Sequence, residues 1–408
     1  MPLLNAEDPP DPVAEDYVTW HARISVVISY LAMALLFSPH GVGQSNVSHA
    51  AEVKGYLEQA QRALKDNRPE EAAQAYRAVL KIDPVNVEAR ANLGIVAMVQ
   101  GNWGEAAEEL QRALKLRPSH RKVQALLGLC EVHSGRLEDA VKLLSCSFPH
   151  LEDPKLRREV GLQLLEIWHQ GGELEKANAV LGQLQQFYPT DATVLYAAYR
   201  VHTDLAFQAV ESLALTAPGS AQLHRALAEH MVNAGHAQDA IGEYRKALAS
   251  SPGVPGLHYE FGEAILADSH LEASLAEAQK EFAAALLLNP TDARSECKLG
   301  EIELWRSSSA TAFDHYERAL KLNPEQACAK LGLAGLLIEE GKTQQALEYL
   351  QSAAGADPYN AQVHHRLAVL YRGMGRNQEA DRELSAFQEL EKVQSQLQKA
   401  LHPEQPSN

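Results

Sequence analysis

The pattern of apolar and polar residues repeats along most of the chain as pairs of short amphipathic helices. In residues 87–118, apolar residues at spacings of three and four mark one face of each predicted helix, with Leu93 and Gly94 in the first. A turn is expected at Gly101. The second helix carries Ala106, Leu110, Ala113 and Leu114. Because proline has no amide proton to donate, Pro118 is expected to end this helix and separate one pair from the next.

This helix pair recurs with a period of 34 residues. Pro84 and Pro118 are 34 residues apart, and alanine recurs in a fixed phase in which five of the eight intervals equal 34. These alanines are Ala72, Ala106, Ala140, Ala177, Ala240, Ala278, Ala312, Ala346 and Ala380. The turn residues, where a left-handed conformation should end the first helix, are Asn67, Gly101, Gly135, Gly172, Gly235, Gly341 and Gly375. A fixed period of this length is typical of a solenoid.

The repeat resembles the tetratricopeptide repeat family, whose unit has Leu-Gly or a similar pair in its first helix. That pair is filled by Leu93-Gly94, Leu127-Gly128, Leu227-Ala228, Phe261-Gly262, Leu299-Gly300, Leu333-Ala334 and Leu367-Ala368. The resemblance implies an all-α fold, an α-solenoid in which about ten helix-turn-helix units over residues 53–395 form a right-handed superhelix. The small residues that define the close contacts of the repeat are Gly94, Ala106, Gly128, Ala140, Ala240, Gly262, Ala278, Gly300, Ala312, Ala346 and Ala380.

Two segments depart from the repeat. Residues 145–155 contain three extra residues, and residues 190–218 are short and lack the alanine and glycine signals. We expect degenerate units there, which would be weak coupling points because solenoid repeats contact only their neighbours. The last predicted helix continues to Leu401, so residues 396–408 should hold the end of a capping helix and a polar tail. Dimerisation through the apolar stripe of that helix is the alternative.

The N-terminal 43 residues indicate export. Residues 24–37 are an uncharged apolar run of 14 residues, shorter than the roughly 20 residues of a membrane span and typical of a secretory signal. Residues 1–23 hold five acidic residues and one Arg, a net charge of −4, whereas a signal begins positively; translation from Val18 would remove this conflict. We predict a signal peptide in residues 1–43, a linker in residues 44–52, and a periplasmic or secreted protein. An uncleaved N-terminal membrane anchor or a buried core helix is the alternative.

Composition and charge narrow the classes of function. The 408 residues are 46% apolar and 22% charged, as in folded proteins, and 37 Lys and Arg against 53 Asp and Glu give a net charge of −16. This balance disfavours nucleic-acid binding, which needs cations to neutralise phosphates. The sequence holds no His-Glu-x-x-His, Cys-x-x-Cys, phosphate-loop or Gly-x-Ser-x-Gly motif. We therefore predict no enzyme activity, no metal site and no small-molecule cofactor.

The resemblance implies a concave groove lined by the first helices, which holds peptides or partner proteins. The groove positions are the second, fifth, ninth and twelfth residues of each unit, and their polar members here are Arg225, Glu229, Tyr259, Glu263, Arg294, Glu301, His365 and Arg372. In the first half the groove is more apolar, with Leu57, Met98, Leu129 and Leu162, and would suit an amphipathic helix. A solvated face that binds nothing in particular is the alternative.

Two further residues fall on groove-side positions of adjacent first helices. Cys297 and Cys328 could form a disulfide in an oxidising compartment, provided that their Cα atoms lie within about 7 Å. Four cysteines are too few for a disulfide framework, and free buried thiols are the alternative.

We therefore interpret the chain as an exported protein-interaction scaffold that binds proteins or peptides in the groove of a tetratricopeptide solenoid. The first alternative is a non-catalytic assembly or regulatory subunit of an envelope enzyme or secretion complex. An enzyme of lytic or transferase type built on the solenoid is the third reading.

Overall fold

The computed structural model describes residues 47–401, in which there are 19 α-helices and no β-strand. The helices are α1 (Val47–Lys65), α2 (Pro69–Ile82), α3 (Val87–Val99), α4 (Trp103–Leu116), α5 (Arg121–His133), α6 (Leu137–Ser147), α7 (Pro154–Gln170), α8 (Leu174–Phe187), α9 (Ala192–Thr216), α10 (Ala221–Asn233), α11 (Ala237–Ser250), α12 (Leu257–Asp268), α13 (Glu272–Leu288), α14 (Ala293–Trp305), α15 (Ser309–Leu322), α16 (Ala327–Glu339), α17 (Thr343–Ala356), α18 (Ala361–Gly373) and α19 (Asn377–Leu401). The chain divides into two compact units, unit 1 up to Ala206 and unit 2 from Phe207.

The ends of the array fall partly outside this range. The predicted signal peptide, the proposed start at Val18 and the polar tail beyond residue 401 lie outside the described residues. Helix α1 begins at Val47, six residues before the predicted start of the array at residue 53, so most of the predicted linker 44–52 is helical. The physical reason is that residues 47–54 contain neither proline nor glycine, so nothing stops the helix from extending toward the N-terminus.

Unit 1 is an all-α solenoid of four helix-turn-helix pairs, α1 with α2 through α7 with α8, followed by the first part of α9. Within a pair, glycine in the first helix lets a leucine of the second helix approach its backbone. A Cβ atom at Gly94 would lie 2.8 Å from Cγ of Leu110, and one at Gly128 would lie 2.6 Å from Cδ2 of Leu144. The two leucines are fully buried, so these glycines are fixed by packing.

The two segments that depart from the repeat differ in how they fold. Helix α6 ends at Ser147, and a 3-10 helix, Phe148–His150, follows it. Its Phe148 ring is buried and lies against Gly161 of α7, where a Cβ atom would be 2.7 Å away, so the insertion is part of the core. Residues 192–216 instead form one helix of 25 residues, α9, because they contain no glycine or proline that could make a turn.

Unit 2 is an all-α solenoid of five pairs, α10 with α11 through α18 with α19. The turn conformation that the sequence predicts is confirmed, since the six glycines have φ between +72° and +80° and Asn67 has φ +55°. In the pair α14 with α15, Ser307 at φ +61° makes the same turn. The alanines that define the close contacts, Ala106, Ala140, Ala240, Ala278, Ala312, Ala346 and Ala380, are all fully buried.

A histidine and a glutamate join the two helices of a pair in four repeats of unit 2. Nδ1 of the histidine lies 2.6–2.7 Å from a glutamate oxygen in each. The pairs are His224 with Glu243, His258 with Glu281, His315 with Glu296, and His364 with Glu383. These contacts place a polar link beside an apolar interface, and the sequence analysis did not predict them.

The last of these pairs should make unit 2 more stable in mild acid. Burial lowers the pKa of His364, but the Glu383 carboxylate and the Pro358 carbonyl oppose this and hold the pKa above its usual 6.5. The folded state therefore retains the proton more tightly than the unfolded state does. The stabilisation is complete below about pH 6.5, the unfolded pKa, and is lost as the pH rises through the folded value.

We expect His364→Gln to cost about 1 kcal/mol of unfolding free energy at pH 6 and less at pH 8. Urea unfolding at the two pH values measures this, with Glu383→Gln as the partner variant that should remove the same pH dependence. An equal loss at both pH values for both variants would contradict it.

Candidate functional site

The first helices of unit 2 are joined one to the next along a single face, and six of the eight predicted groove residues lie on it. Arg225 of α10 begins the series, since its Nε donates to Glu260 of α12 over 2.8 Å and to Glu229 of its own helix over 3.0 Å. The guanidinium group therefore holds two carboxylates from adjacent repeats. We call the surface formed by the first helices of unit 2, which are α10, α12, α14, α16 and α18, the first-helix face.

The next pair of helices repeats the arrangement with a lysine. Lys298 of α14 lies with its Nζ 3.3 Å from Glu263 of α12 and 3.2 Å from Glu301 of α14. The guanidinium carbon of Arg294 lies 4.4 Å from the ring centre of Tyr259, a cation-π contact between the same two helices. Six predicted groove residues, Arg225, Glu229, Tyr259, Glu263, Arg294 and Glu301, thus come together on α10, α12 and α14.

A covalent link continues the face from α14 to α16. Cys297 and Cys328 form a disulfide with a Cα–Cα distance of 6.3 Å, within the range that a disulfide requires. From α16 to α18 the link is a hydrogen bond, in which Nη1 of Arg366 donates to the Leu331 carbonyl over 3.2 Å. Gly335 leaves the space for this arginine, because a Cβ atom there would lie 2.5 Å from Nη1.

The first-helix face carries more negative than positive charge between α10 and α14. Its carboxylates are Glu229, Glu260, Glu263 and Glu301, and its cations are Arg225, Arg294 and Lys298. Burial lowers the pKa of Lys298, but Glu301 and Glu263 more than offset it and raise the pKa above its usual value, so the ammonium group stays charged. Burial raises the pKa of Glu260, although Arg225 opposes the shift.

The charged side chains of this face overlap in exposure, and the most exposed is that of Arg294, at 57%. The side chains of Glu229 and Glu263 are 49% and 43% exposed, whereas that of Lys298, which holds Glu263, is only 25% exposed. Around Lys298, solvent therefore meets the Glu263 carboxylate before it meets the ammonium group.

The two remaining predicted groove residues are engaged with the last helix of the chain. The rings of His365 and Phe387 have centres 5.0 Å apart, and Nη2 of Arg372 lies 2.9 Å from Asp381 of α19. Both residues line a shallow cavity of 370 Å³ together with Ala368, Val369, Gly373 and Leu384. They form a separate surface at the C-terminal pair and do not contact the charged residues of α10 to α14.

Three residues of the first-helix face were missed by sequence reasoning. Glu260, Lys298 and Arg366 all occupy the sixth position of their repeats, next to the fifth position that was considered. Because residues three apart share a helix face, the sixth position lies on the same surface as the ninth. The repeat numbering therefore could have predicted these three residues, if the sixth position had been counted with the groove positions.

Of the four residues expected along the apolar groove of unit 1, Leu57 and Leu162 are partly exposed, and Met98 and Leu129 are buried. Met98 and Leu129 are only 2% and 4% exposed and belong to the core, so they offer no contact area to a helix. The reason is that both side chains pack in the large core of unit 1 and do not stand free on the first helices.

Within residues 47–401, Oδ1 of Asn92 on α3 is buried and has no hydrogen-bond partner.

The comparisons with known proteins identify the repeats. One family model described as tetratricopeptide repeat matches residues 57–119, 92–145 and 297–361. A second model with the same description matches residues 337–401. These segments are tetratricopeptide repeats, which confirms that part of the sequence prediction. No curated protein matches this sequence.

The solved structures that match this chain share little sequence with it. MamA from Desulfovibrio magneticus RS-1 has 20% identity and a TM-score of 0.34, over 43% of this chain and 96% of that one. The pilF protein of Pseudomonas aeruginosa has 22% identity and a TM-score of 0.36, over 61% of this chain and 93% of that one.

Among residues 47–401, no helix combines the length and apolar character that crossing a membrane would need.

Proposed function

We propose that the protein is a non-catalytic interaction scaffold whose first-helix face in unit 2 binds basic segments of partner proteins. The observation that carries the proposal is the row of carboxylates Glu229, Glu263 and Glu301, which occupy the ninth position of three consecutive first helices. A solenoid offers such a face to an extended or helical segment, because each repeat adds one helix to a continuous surface.

The charges on this face favour a basic partner. Glu229 and Glu263 are more exposed than the cation that holds Glu263, so an incoming lysine or arginine reaches carboxylate oxygens without first displacing a buried group. The overall charge of −16 adds long-range attraction for basic segments and repels acidic ones. The same surface is unsuited to nucleic acid, whose phosphates it would repel.

An array of synthetic peptides that span all charge classes, probed with the full chain, tests the proposal. Bound peptides should be rich in lysine and arginine, and their affinity should fall as salt rises from 50 to 300 mM, values that bracket a Debye length of about 10 Å. The double variant Glu229→Gln/Glu263→Gln should weaken binding of the best peptide about tenfold, which equals about 1.4 kcal/mol.

The matched control is Glu317→Gln on the second helix α15. Its side chain is 47% exposed, close to that of Glu263, and it pairs with Lys321 of its own helix. This variant should bind as the unchanged chain does. Bound peptides without excess basic residues, or equal losses for the control and the double variant, would count against the first-helix face.

Export from the cytoplasm is a further part of the proposal. The apolar residues 24–37 support it, and so does the disulfide between Cys297 and Cys328, because disulfides persist mainly in oxidising compartments. Fractionation of the native cells with N-terminal sequencing of the mature chain tests it. A chain found in the cytoplasm with its N-terminal residues intact would overturn it.

The alternative is a subunit that holds one catalytic partner in an envelope enzyme or secretion complex. The separate surface around His365 and Arg372 favours it, since a second binding surface would suit a chain that joins two components. Crosslinking followed by mass spectrometry distinguishes the two functions: one dominant enzyme partner supports the subunit, and many unrelated segments support the scaffold.

A further inference from the structure

Three metal-ligating atoms meet at the centre of the first-helix face. The Sγ atoms of Cys297 and Cys328 and a carboxylate oxygen of Glu301 all lie within 4.8 Å of one another. Oε1 of Glu301 is 3.2 Å from Sγ of Cys328, and Glu301 stands one helical turn after Cys297 on α14. We propose that, when the disulfide is reduced, these three side chains bind one divalent cation of the zinc type.

The three ligands differ in how deeply they are buried. Cys297 is fully buried and packs in a core cluster with Tyr316 and Leu333, whereas Cys328 and Glu301 are partly exposed. Two thiolates on tetrahedral zinc lie about 3.8 Å apart, from Zn–S bonds of about 2.3 Å. Rotation of the partly exposed Cys328 side chain can open this distance while the Cα atoms remain 6.3 Å apart. A water molecule would complete the four ligands from the side on which Cys328 and Glu301 are partly exposed.

The donor set and the charge both select the kind of metal. Two thiolates and one carboxylate favour zinc over magnesium or calcium, which take oxygen ligands. The three ligands carry three negative charges, of which a divalent cation neutralises two. Lys298, whose Nζ is 3.2 Å from Glu301, supplies the third positive charge beside the site. Sequence motifs could not reveal this site, because its cysteines are 31 residues apart on two helices.

The disulfide and the metal exclude each other, because each needs both sulfur atoms. A phosphine reductant gives two electrons to the sulfur–sulfur bond and becomes a phosphine oxide, while water supplies the oxygen and the two protons that complete the thiols. The metal then takes up the two thiolates and releases those two protons. Oε1 of Glu301 faces Cys328 and Oε2 faces Lys298, so the carboxylate can bind the metal and keep its ion pair. The oxidation state of the two sulfurs therefore decides whether the first-helix face carries a disulfide or a metal ion.

Cobalt titration of the reduced full chain tests the site. The background is Cys130→Ala/Cys146→Ser, which leaves only the two thiols of interest. After removal of the phosphine without oxygen, we expect one Co²⁺ per chain, with a thiolate-to-cobalt charge-transfer band and the ligand-field spectrum of tetrahedral cobalt. Zinc should displace the cobalt and slow the re-formation of the disulfide. The oxidised chain should give neither band.

Substitutions separate this site from casual metal binding. Glu301→Gln removes a direct ligand and should weaken cobalt binding by at least about 10- to 100-fold, the loss that changing even an outer partner of a metal site typically causes, while circular dichroism shows unchanged helix content. Glu317→Gln, an exposed glutamate on another helix, should have no effect. Stoichiometric binding that persists in Cys297→Ser/Cys328→Ser, affinity unaffected by Glu301→Gln, or no spectrum in the reduced chain would each overturn the proposal.

Discussion

Reduction of the disulfide between Cys297 and Cys328 is expected to lower the free energy of unfolding of unit 2 by about 3–4 kcal/mol. The bond joins α14 to α16 across 31 residues of chain. In the oxidised protein it restricts the unfolded chain, and a loop of this length removes conformational entropy worth that amount. The folded state loses little on reduction, because Cys297 stays buried in its core cluster.

Calorimetry with and without a reductant, under metal-free conditions, measures the effect. The transition of unit 2 should move to lower temperature on reduction, and Cys328→Ser should reproduce the shift without reductant. Cys146→Ser is the control, since Cys146 is exposed and forms no disulfide in the structure. Identical transitions in both conditions, together with four free thiols by mass spectrometry, would show that the bond does not form in solution.

The helical repeat could be predicted from the sequence because its determinants are local. Gly101, which adopts the left-handed conformation, and Pro118, which ends a helix, determine the local structure through their own backbone. Each recurs at a fixed spacing, so the period of 34 residues is visible without knowledge of any tertiary contact. The left-handed conformation of Ser307 could not be predicted, because serine has no particular preference for φ +61° and only the surrounding turn imposes that value.

The chemistry of the candidate site could be predicted only in part, because it depends on contacts between repeats. Repeat numbering placed Glu229 and Glu263 on one face, as the structure does. It could not show that Lys298 binds Glu263 and Glu301 at once, since that requires the distance between α12 and α14. Nor could it show that Arg372 pairs with Asp381 of the last helix over 2.9 Å, since that requires the distance between α18 and α19.

The second-largest effect is expected from Gly332→Ala in α16. The Tyr316 ring of α15 is 1% exposed and lies between Gly300 of its own repeat and Gly332 of the next. A Cβ atom at Gly332 would lie 2.7 Å from Cε1 of this ring and closer still to Cζ. Alanine in a helix is ordinarily more stable than glycine by about 0.5–1 kcal/mol. Here the clash with a close-packed ring outweighs that gain, and we expect a net loss of about 1–3 kcal/mol.

A matched glycine and a rescue variant make this prediction specific to the ring. Gly242→Ala in the interior of α11 meets no atom within 4 Å and should stabilise unit 2 by about 0.5–1 kcal/mol. Adding Tyr316→Leu to Gly332→Ala should recover at least about 1 kcal/mol relative to the sum of the two single losses. Leucine fills the equivalent position in other repeats, as Leu350 does in the next one, so the fold accepts it there. If Gly332→Ala unfolds at the same urea concentration as the unchanged chain, the Tyr316 ring moves aside without cost. That result would show that packing does not require the glycine.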